Sequence, residues 1–562
     1  MEQKITPLPI GIENFYDMIR KKFYYVDKTL LIKDLIDRPS AVNVFTRPRR
    51  FGKTLNISML QHYFDILKKD HSHIFDGLKI MSAGDEYLEH QNKYPVIKLS
   101  LKGAEGKTFK SAYELFKIEI TNEFKRHRYL IKSEKLKQED RELYQKIIES
   151  TATIEEFKSS LKFLSDCLAT HYNKKVIILI DEYDVPLEKA HFTGYYEEMV
   201  DFIRSFFSAA LKTNDSLEFA VITGCLRVSK ESIFTGVNNL NIVSILSNSF
   251  GEYFGLTEPE IETMLKHYNL EHKANEMRDW YNGYIFGETV VYNPWSSIKY
   301  LYDIIYGKME FPVAHWSNTS SNSIVRELIS IADDETKIEI EQLIKGETLT
   351  KPINEDIVYA DITKNMDNLW NFLFFTGYLK KISKEQVGVQ NYFDLAIPNK
   401  EILYIYTRHI REWFDERVRA VDLNGLYSAV LNQDTTTFED EISEMLSETI
   451  SYMDSHENFY HGFLTGVLRG IKGYIAKSNR ETGNGRGDIL LMPISIRKPA
   501  VIIEVKIAKN AKNLEKKCDE ALKQIQSQKY ENELHNEGYT QIIKYGIAFY
   551  RKDCIIKTTE KS

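Results

Sequence analysis

The sequence predicts an α/β protein with three parts. These are a P-loop domain, a mainly helical middle or lid segment, and a smaller C-terminal α/β domain. Three observations carry that prediction. A short apolar run, Ala41–Phe45, leads into Thr46–Thr54, a loop ending in Gly-Lys-Thr, and then into a helical pattern at Leu55–Leu60. A near-continuous apolar run, Val176–Ile180, ends in Asp181-Glu182-Tyr183-Asp184, as a buried parallel strand with an acidic carboxyl end does. Near the C-terminal end, Asp488 opens one apolar run, and Glu504 and Lys506 alternate with Ile503, Val505 and Ile507 in another.

Size and composition set the outer limits. A chain of 562 residues accommodates about three to four domains of roughly 150 residues. With 43% hydrophobic and 28% charged residues, it has the balance of a globular protein. Lys and Arg number 74 against 81 Asp and Glu, a formal charge of −7. That excludes a wholly basic nucleic-acid binder, so any contact with DNA or RNA uses local patches. The four cysteines, Cys167, Cys225, Cys518 and Cys554, form no CxxC pair. This argues against a disulfide framework or a zinc knuckle and for a reducing compartment. Met1-Glu2-Gln3-Lys4 has no apolar signal core, and no apolar stretch reaches membrane-spanning length. The expectation is a cytoplasmic protein with no membrane partner.

The first domain is expected over residues 1–290. Strand, loop and helix around Gly52-Lys53-Thr54 supply the context that a P-loop needs. Gly52 lets the backbone approach a phosphate, Lys53 reaches the β- and γ-phosphates, and the Thr54 hydroxyl ligates Mg²⁺. The helix N-terminus favours the anion too. Arg47 stands where the first glycine of the usual pattern falls, and Arg47, Arg49 and Arg50 crowd the loop with positive charge. Asp181 is placed to hold Mg²⁺, and Glu182 to polarise an attacking water. Further strands are expected at Tyr94–Leu101 and Glu218–Gly224, with charged helices across about 105–170. Thr223 takes a sensor position. Arg227 has two readings: a cation stabilising the transferring phosphoryl group, or a loop arginine in a surface salt bridge.

These residues resemble the bacterial AAA-ATPase-like family. The resemblance rests on Ile10–Phe15, Tyr24–Thr29, Arg47–Thr54, Leu179–Asp184 and Thr223–Arg227, five motifs in order over roughly residues 5–290. In that family an arginine-rich loop replaces the first glycine. The resemblance implies an ASCE-type P-loop fold, bound ATP with Mg²⁺, and a contact near the nucleotide for the segment holding Tyr25, Asp27 and Lys28.

The middle segment, residues 291–450, reads as mainly helical and winged-helix-like. A small strand pair is expected around Gly377–Leu379 and Tyr392–Leu395. Thr257 with Glu260 reads as a capping box. The aromatic turns Trp280–Tyr284 and Tyr292–Ser296 read as a packed connector rather than a base-stacking surface.

The last domain is expected over residues 451–562. Glu504 and Lys506 lie on one face of a strand. If the run opened by Asp488 pairs with it, two carboxylates and an ammonium converge. Buried charges are costly unless paired or bound to metal, and Mg²⁺ suits such carboxylates. A plain salt bridge between Glu504 and Lys506 is the other reading. Phe459–Gly473 and Leu514–Tyr530 read as helices, and Lys544–Phe549 as a final strand. This order resembles the PD-(D/E)XK nuclease superfamily over about one hundred residues. The resemblance implies a restriction-endonuclease-like α/β fold. It makes Asp488 and Glu504 Mg²⁺ ligands, Lys506 the residue that positions or deprotonates the water, and Gln524 a substrate-orienting group, with Tyr530 completing the helix motif. Glu457 and His461 are candidates for a further first-helix ligand. Arg480, Arg486, Lys472, Lys477, Lys509, Lys512, Lys516 and Lys517 supply a local positive field.

Two functions follow from these readings. One is an ATPase that gates a metal-dependent nuclease, with DNA favoured over RNA as the nucleic-acid partner. The other is an ATP-dependent, homo-oligomerising switch or DNA-binding protein whose nuclease-like domain is inactive.

Overall fold

Five strands form a parallel sheet in the N-terminal part of the chain: β1 (Val42–Thr46), β2 (Val96–Ser100), β3 (Val176–Asp181), β4 (Leu217–Gly224) and β5 (Leu240–Val243). The computed structural model describes residues 5–212, 214–226, 233–234, 240–316, 333–355, 359, 366–387, 390–409, 422–447, 457–478, 488–527 and 534–559. The sheet order is β2-β3-β4-β1-β5. Strand β4 thus lies between the phosphate-loop strand and the acidic-ended strand, as an ASCE-type P-loop fold requires. β1 and β3 are buried along their whole length. That is why they read as unbroken apolar runs, because helices cover both faces of a parallel sheet. The helix Lys53–Phe64 is buried on almost every side. The expected helices of the next segment are Phe109–Arg126, Gln138–Ile148 and Ile154–Tyr172.

A short hairpin follows, β6 (Tyr284–Phe286) with β7 (Thr289–Val291). Thr257 and Glu260 form the expected capping box on the helix Glu258–His267. Tyr281, Tyr284 and Tyr292 are buried, as a packed connector requires. The middle segment adds a three-stranded antiparallel sheet of β8 (Leu349–Pro352), β9 (Lys380–Val387) and β10 (Gln390–Ala396). The strand expected at Gly377–Leu379 starts only at Lys380. Gly377 has φ +89 and sits in the turn that closes the helix Met366–Phe375, a conformation that glycine adopts freely.

The C-terminal sheet holds β11 (Tyr474–Ser478), β12 (Asp488–Pro493), β13 (Ala500–Ile507), β14 (Ile542–Tyr550) and β15 (Asp553–Thr558), in that spatial order. β13 and β14 are parallel and the other pairs antiparallel. The helices Glu457–Leu468 and Leu514–Ser527 accompany it.

The chain forms two compact units. One comprises Met1–Asn322 and Thr348–Ile405, the other Ser323–Glu347 and Tyr406–Ser562. Among the described residues, no helix is long and apolar enough to cross a membrane. All four cysteines are buried and unbridged.

Candidate functional site

The first unit gathers its acidic and hydroxyl groups at the carboxyl ends of β1, β3 and β4. Gly52 caps the helix Lys53–Phe64 with φ +79, and nothing lies within 4 Å of where its Cβ would be. A side chain there is strained by the backbone, not by crowding. The Lys53 ammonium donates to the carbonyls of Arg47 and Pro48, both at 3.0 Å, and lies 3.5 Å from Cys225 Sγ. Thr54 Oγ1 donates to Asp181 Oδ2 at 2.6 Å, and Thr223 Oγ1 to Asp181 Oδ1 at 2.5 Å. The two residues expected to share a cation are therefore in direct contact, with the sensor threonine on the other oxygen. Glu182 has φ +53, a strained value for a non-glycine residue of the kind that gathers at functional sites. Burial raises its pKa above 4.5, with Lys53 opposing.

Asp184 is buried and accepts from the backbone N–H groups of Cys225 at 2.8 Å and Leu226 at 3.0 Å. It also accepts from the Tyr359 hydroxyl at 3.2 Å, while its Oδ1 has no hydrogen-bond partner among the described residues. Burial pushes the Cys225 thiol up to about 11, so it stays protonated beside Lys53.

Of the three loop arginines, Arg47 departs from expectation. It is fully buried, donates to the carbonyls of Thr46 at 2.9 Å and Val243 at 2.8 Å, and stacks over Phe254 and Phe286. It ties β1 to β5 and does not add its charge to the loop surface. Arg49 donates to Glu188 at 2.5 Å. Arg50, at φ +73, lies 4.3 Å from the Trp295 ring.

The N-terminal motif also takes a structural role. Lys28 binds Glu260 at 2.6 Å and the Glu252 carbonyl at 2.6 Å, and Tyr25 donates to Met59 Sδ at 3.6 Å. Asp27 accepts from Thr29 and from the Lys79 backbone. These contacts brace the segment against the phosphate-loop helix and the capping box of Glu258–His267. They are distinct from those of Lys53, Thr54 and Asp181.

In the second unit, β12 and β13 pair antiparallel with Asp488 opposite Glu504, the pairing expected from the two runs. Glu504 is fully buried. Its Oε1 accepts from Lys506 Nζ at 2.7 Å, and its Oε2 has no hydrogen-bond partner among the described residues. Gln524 lies half-buried on the helix Leu514–Ser527. That helix crosses β14 at Gly546, where a Cβ would meet the Cys518 carbonyl at 2.6 Å and Leu522 Cγ at 2.8 Å. Lys472, Lys477, Lys509, Lys512 and Lys516 are exposed.

Arg227, Arg480, Arg486 and Tyr530 lie outside the described residues, as do the side chains of Asp488 and Glu457. His461 is on the helix Glu457–Leu468. Among the described residues, no three or more His, Cys, Asp or Glu side chains gather to hold a metal.

The sequence reading passed over Glu188 and Tyr359. Glu188 follows Asp184 by one helical turn, a spacing that places it on the same helix face. Tyr359 has no local signal, since its partner is 175 positions away.

Comparison with known proteins agrees with this layout. Residues 9–234 match the family described as a predicted AAA-ATPase. Residues 455–559 match the PD-(D/E)XK nuclease superfamily. An uncharacterized protein in the vnfD 5′ region of Azotobacter chroococcum mcd 1 is 26% identical over 398 residues, covering 70% of this chain and 68% of that protein. The chain thus carries an AAA-ATPase-like domain followed by a PD-(D/E)XK nuclease superfamily domain, an ATPase-plus-nuclease architecture on one polypeptide.

Proposed function

We propose that the protein is a nucleotide-dependent nuclease that hydrolyses phosphodiester bonds of DNA in the cytoplasm, with ATP controlling access to the nuclease site. One observation carries this reading. Glu504 is wholly buried and, among the described residues, has only Lys506 as a hydrogen-bonding partner and keeps a second oxygen without one, with Asp488 opposite it in register. A buried carboxylate left half-satisfied is costly unless a cation completes it. Asp488 and Glu504 are the residues that would hold Mg²⁺ there.

Bound Mg²⁺ supplies a water acidic enough to attack and stabilisation for the departing oxygen. Lys506 holds its ammonium against Glu504 and orients the attacking water, and Gln524 positions the substrate from the neighbouring helix. In the other unit, Gly52, Lys53, Arg49 and Arg50 would hold the phosphates of ATP, and Thr54 and Asp181 its Mg²⁺. Glu182, with its raised pKa, takes the proton of the attacking water, and Arg227 stabilises the phosphoryl group.

The test is a DNA cleavage assay with Mg²⁺ or Mn²⁺, with and without ATP. Glu504→Ala and Lys506→Ala are each expected to lower cleavage at least a hundredfold. Unchanged cleavage in both variants rejects the site. ATP and DNA binding without cleavage under either metal points instead to the switch protein with an inactive nuclease-like domain.

A further inference from the structure

The three arginines of the phosphate loop have three different kinds of partner. Arg47 is locked in the core by backbone carbonyls and aromatic rings. Arg50 lies over the Trp295 indole. Among these three, Arg49 is the one paired with an anion, Glu188, at 2.5 Å, and the pair is mostly shielded, with side chains 29% and 20% exposed. Glu188 sits on the helix Val185–Thr193, which directly follows the acidic end of β3. Arg49 lies on the loop that leads into the helix Lys53–Phe64, and Lys53 at the start of that helix is held by the loop's carbonyls.

Carboxylate and phosphate are rival ligands for a guanidinium, because both accept its paired N–H donors in the same planar geometry. A cation bound to a ring or a carbonyl can take on a phosphate without expelling another anion. Arg49 cannot. An arriving phosphate must replace Glu188 or share the guanidinium with it, and sharing sets two anions side by side in a shielded place. Leaving Glu188 unpaired is also costly, since Asp184 lies one turn before it, at the cap of that helix. Exchange therefore proceeds when the incoming group brings enough charge to outweigh both costs. A terminal γ-phosphate does so; a diphosphate has no group to place there.

We propose that Glu188 is a resident anion that the terminal phosphate of a nucleoside triphosphate displaces from Arg49, so that this carboxylate weakens triphosphate binding selectively and holds down the preference for tri- over diphosphate. The inference rests on the nucleotide reading of the first unit. It assigns a specificity role to a residue that no phosphate-loop motif contains.

The experiment is calorimetric titration of the full-length chain with ATP and with ADP. Glu188→Gln keeps the shape of the side chain and removes its charge. It is expected to tighten ATP binding about tenfold and leave ADP binding unchanged within about twofold. Glu188→Asp, a second variant that keeps the charge, shortens the side chain and is expected to fall between wild type and Glu188→Gln. In an Arg49→Met background, Glu188→Gln is expected to have no effect on either nucleotide. Thermal unfolding of each variant without nucleotide confirms that it is folded. Equal tightening of ATP and ADP, weaker ATP binding, or an effect that persists in Arg49→Met overturns the inference. Lys53→Ala separates the two levels. A wild type that binds ATP, loses it on Lys53→Ala and is indifferent to Glu188→Gln keeps the nucleotide reading and refutes this one. A wild type that binds neither nucleotide refutes both.

Discussion

Arg47 shows how a residue can occupy a motif position and yet do another job. The sequence places it among three loop arginines, and nothing in the spacing separates it from Arg49 or Arg50. The fold separates them: Arg47 alone is buried, with its charge spread over two rings and two carbonyls. Asp181 and Glu504 were legible because each is a charge at the end of, or inside, an apolar run, where burial demands a reason. Tyr359 was not, because its contact with Asp184 spans 175 positions. Glu401 was missed for the same cause. It is buried, accepts from the Trp316 backbone at 2.9 Å and Ser296 Oγ at 3.0 Å, and has one oxygen with no partner among the described residues. Burial raises its pKa from 4.5 to about 7, against those two donors and the His315 backbone. The folded state then binds a proton that the unfolded state has released, so stability is full below about pH 4.5 and falls as pH rises to about 7. The loss is on the order of 2–3 kcal/mol. Urea unfolding across this range is expected to show that slope in the wild type and to lose most of it in Glu401→Gln.

At the scale of elements, central strands announced themselves, and among edge strands β2 did so while β5, β11 and β15 did not. β1, β3 and β13 are covered on both sides and read as apolar runs. β5, β11 and β15 are edges of their sheets. They carry Asn241, Lys477 and Asp553 within short mixed stretches, as edges that must resist further pairing do. The helix bearing Gln524 was legible from its amphipathic pattern, but its seat on the sheet was not. Gly546 sets it: the helix lies so close that Cys518 Sγ reaches the Gly546 carbonyl at 2.9 Å. Gly546→Ala must push that helix off β14 and is expected to cost about 1–3 kcal/mol. Gly462, on the helix Glu457–Leu468, has nothing within 4 Å of its Cβ position. Gly462→Ala is therefore expected to be neutral or to stabilise by up to about 1 kcal/mol. Chemical denaturation of both variants measures the contrast, and equal effects of the same sign contradict this account of the helix seat.

For the whole molecule, the two compact units provide separate reporters. Of the five tryptophans, Trp280, Trp295, Trp316 and Trp370 fall in the first unit, and Trp413 lies outside the described residues. Tryptophan fluorescence thus follows mainly the unit with the phosphate loop. ATP at a hundred times its dissociation constant is expected to stabilise that unit by about 2.7 kcal/mol. The fluorescence transition should move while a far-ultraviolet transition from the second unit stays in place. A shift of both together, or of neither, contradicts this assignment of the nucleotide to the first unit. The division of the chain also has a consequence for its birth on the ribosome. Ser323–Glu347 belongs to the second unit, yet it is made before Thr348–Ile405 completes the first. The helix Asp334–Ile344 therefore emerges as an early fragment of a body whose remainder takes on the order of ten seconds or more to follow at ordinary elongation rates. The nascent chain must keep that amphipathic piece out of the first unit while it closes. A gene fragment starting at residue 451 omits it altogether.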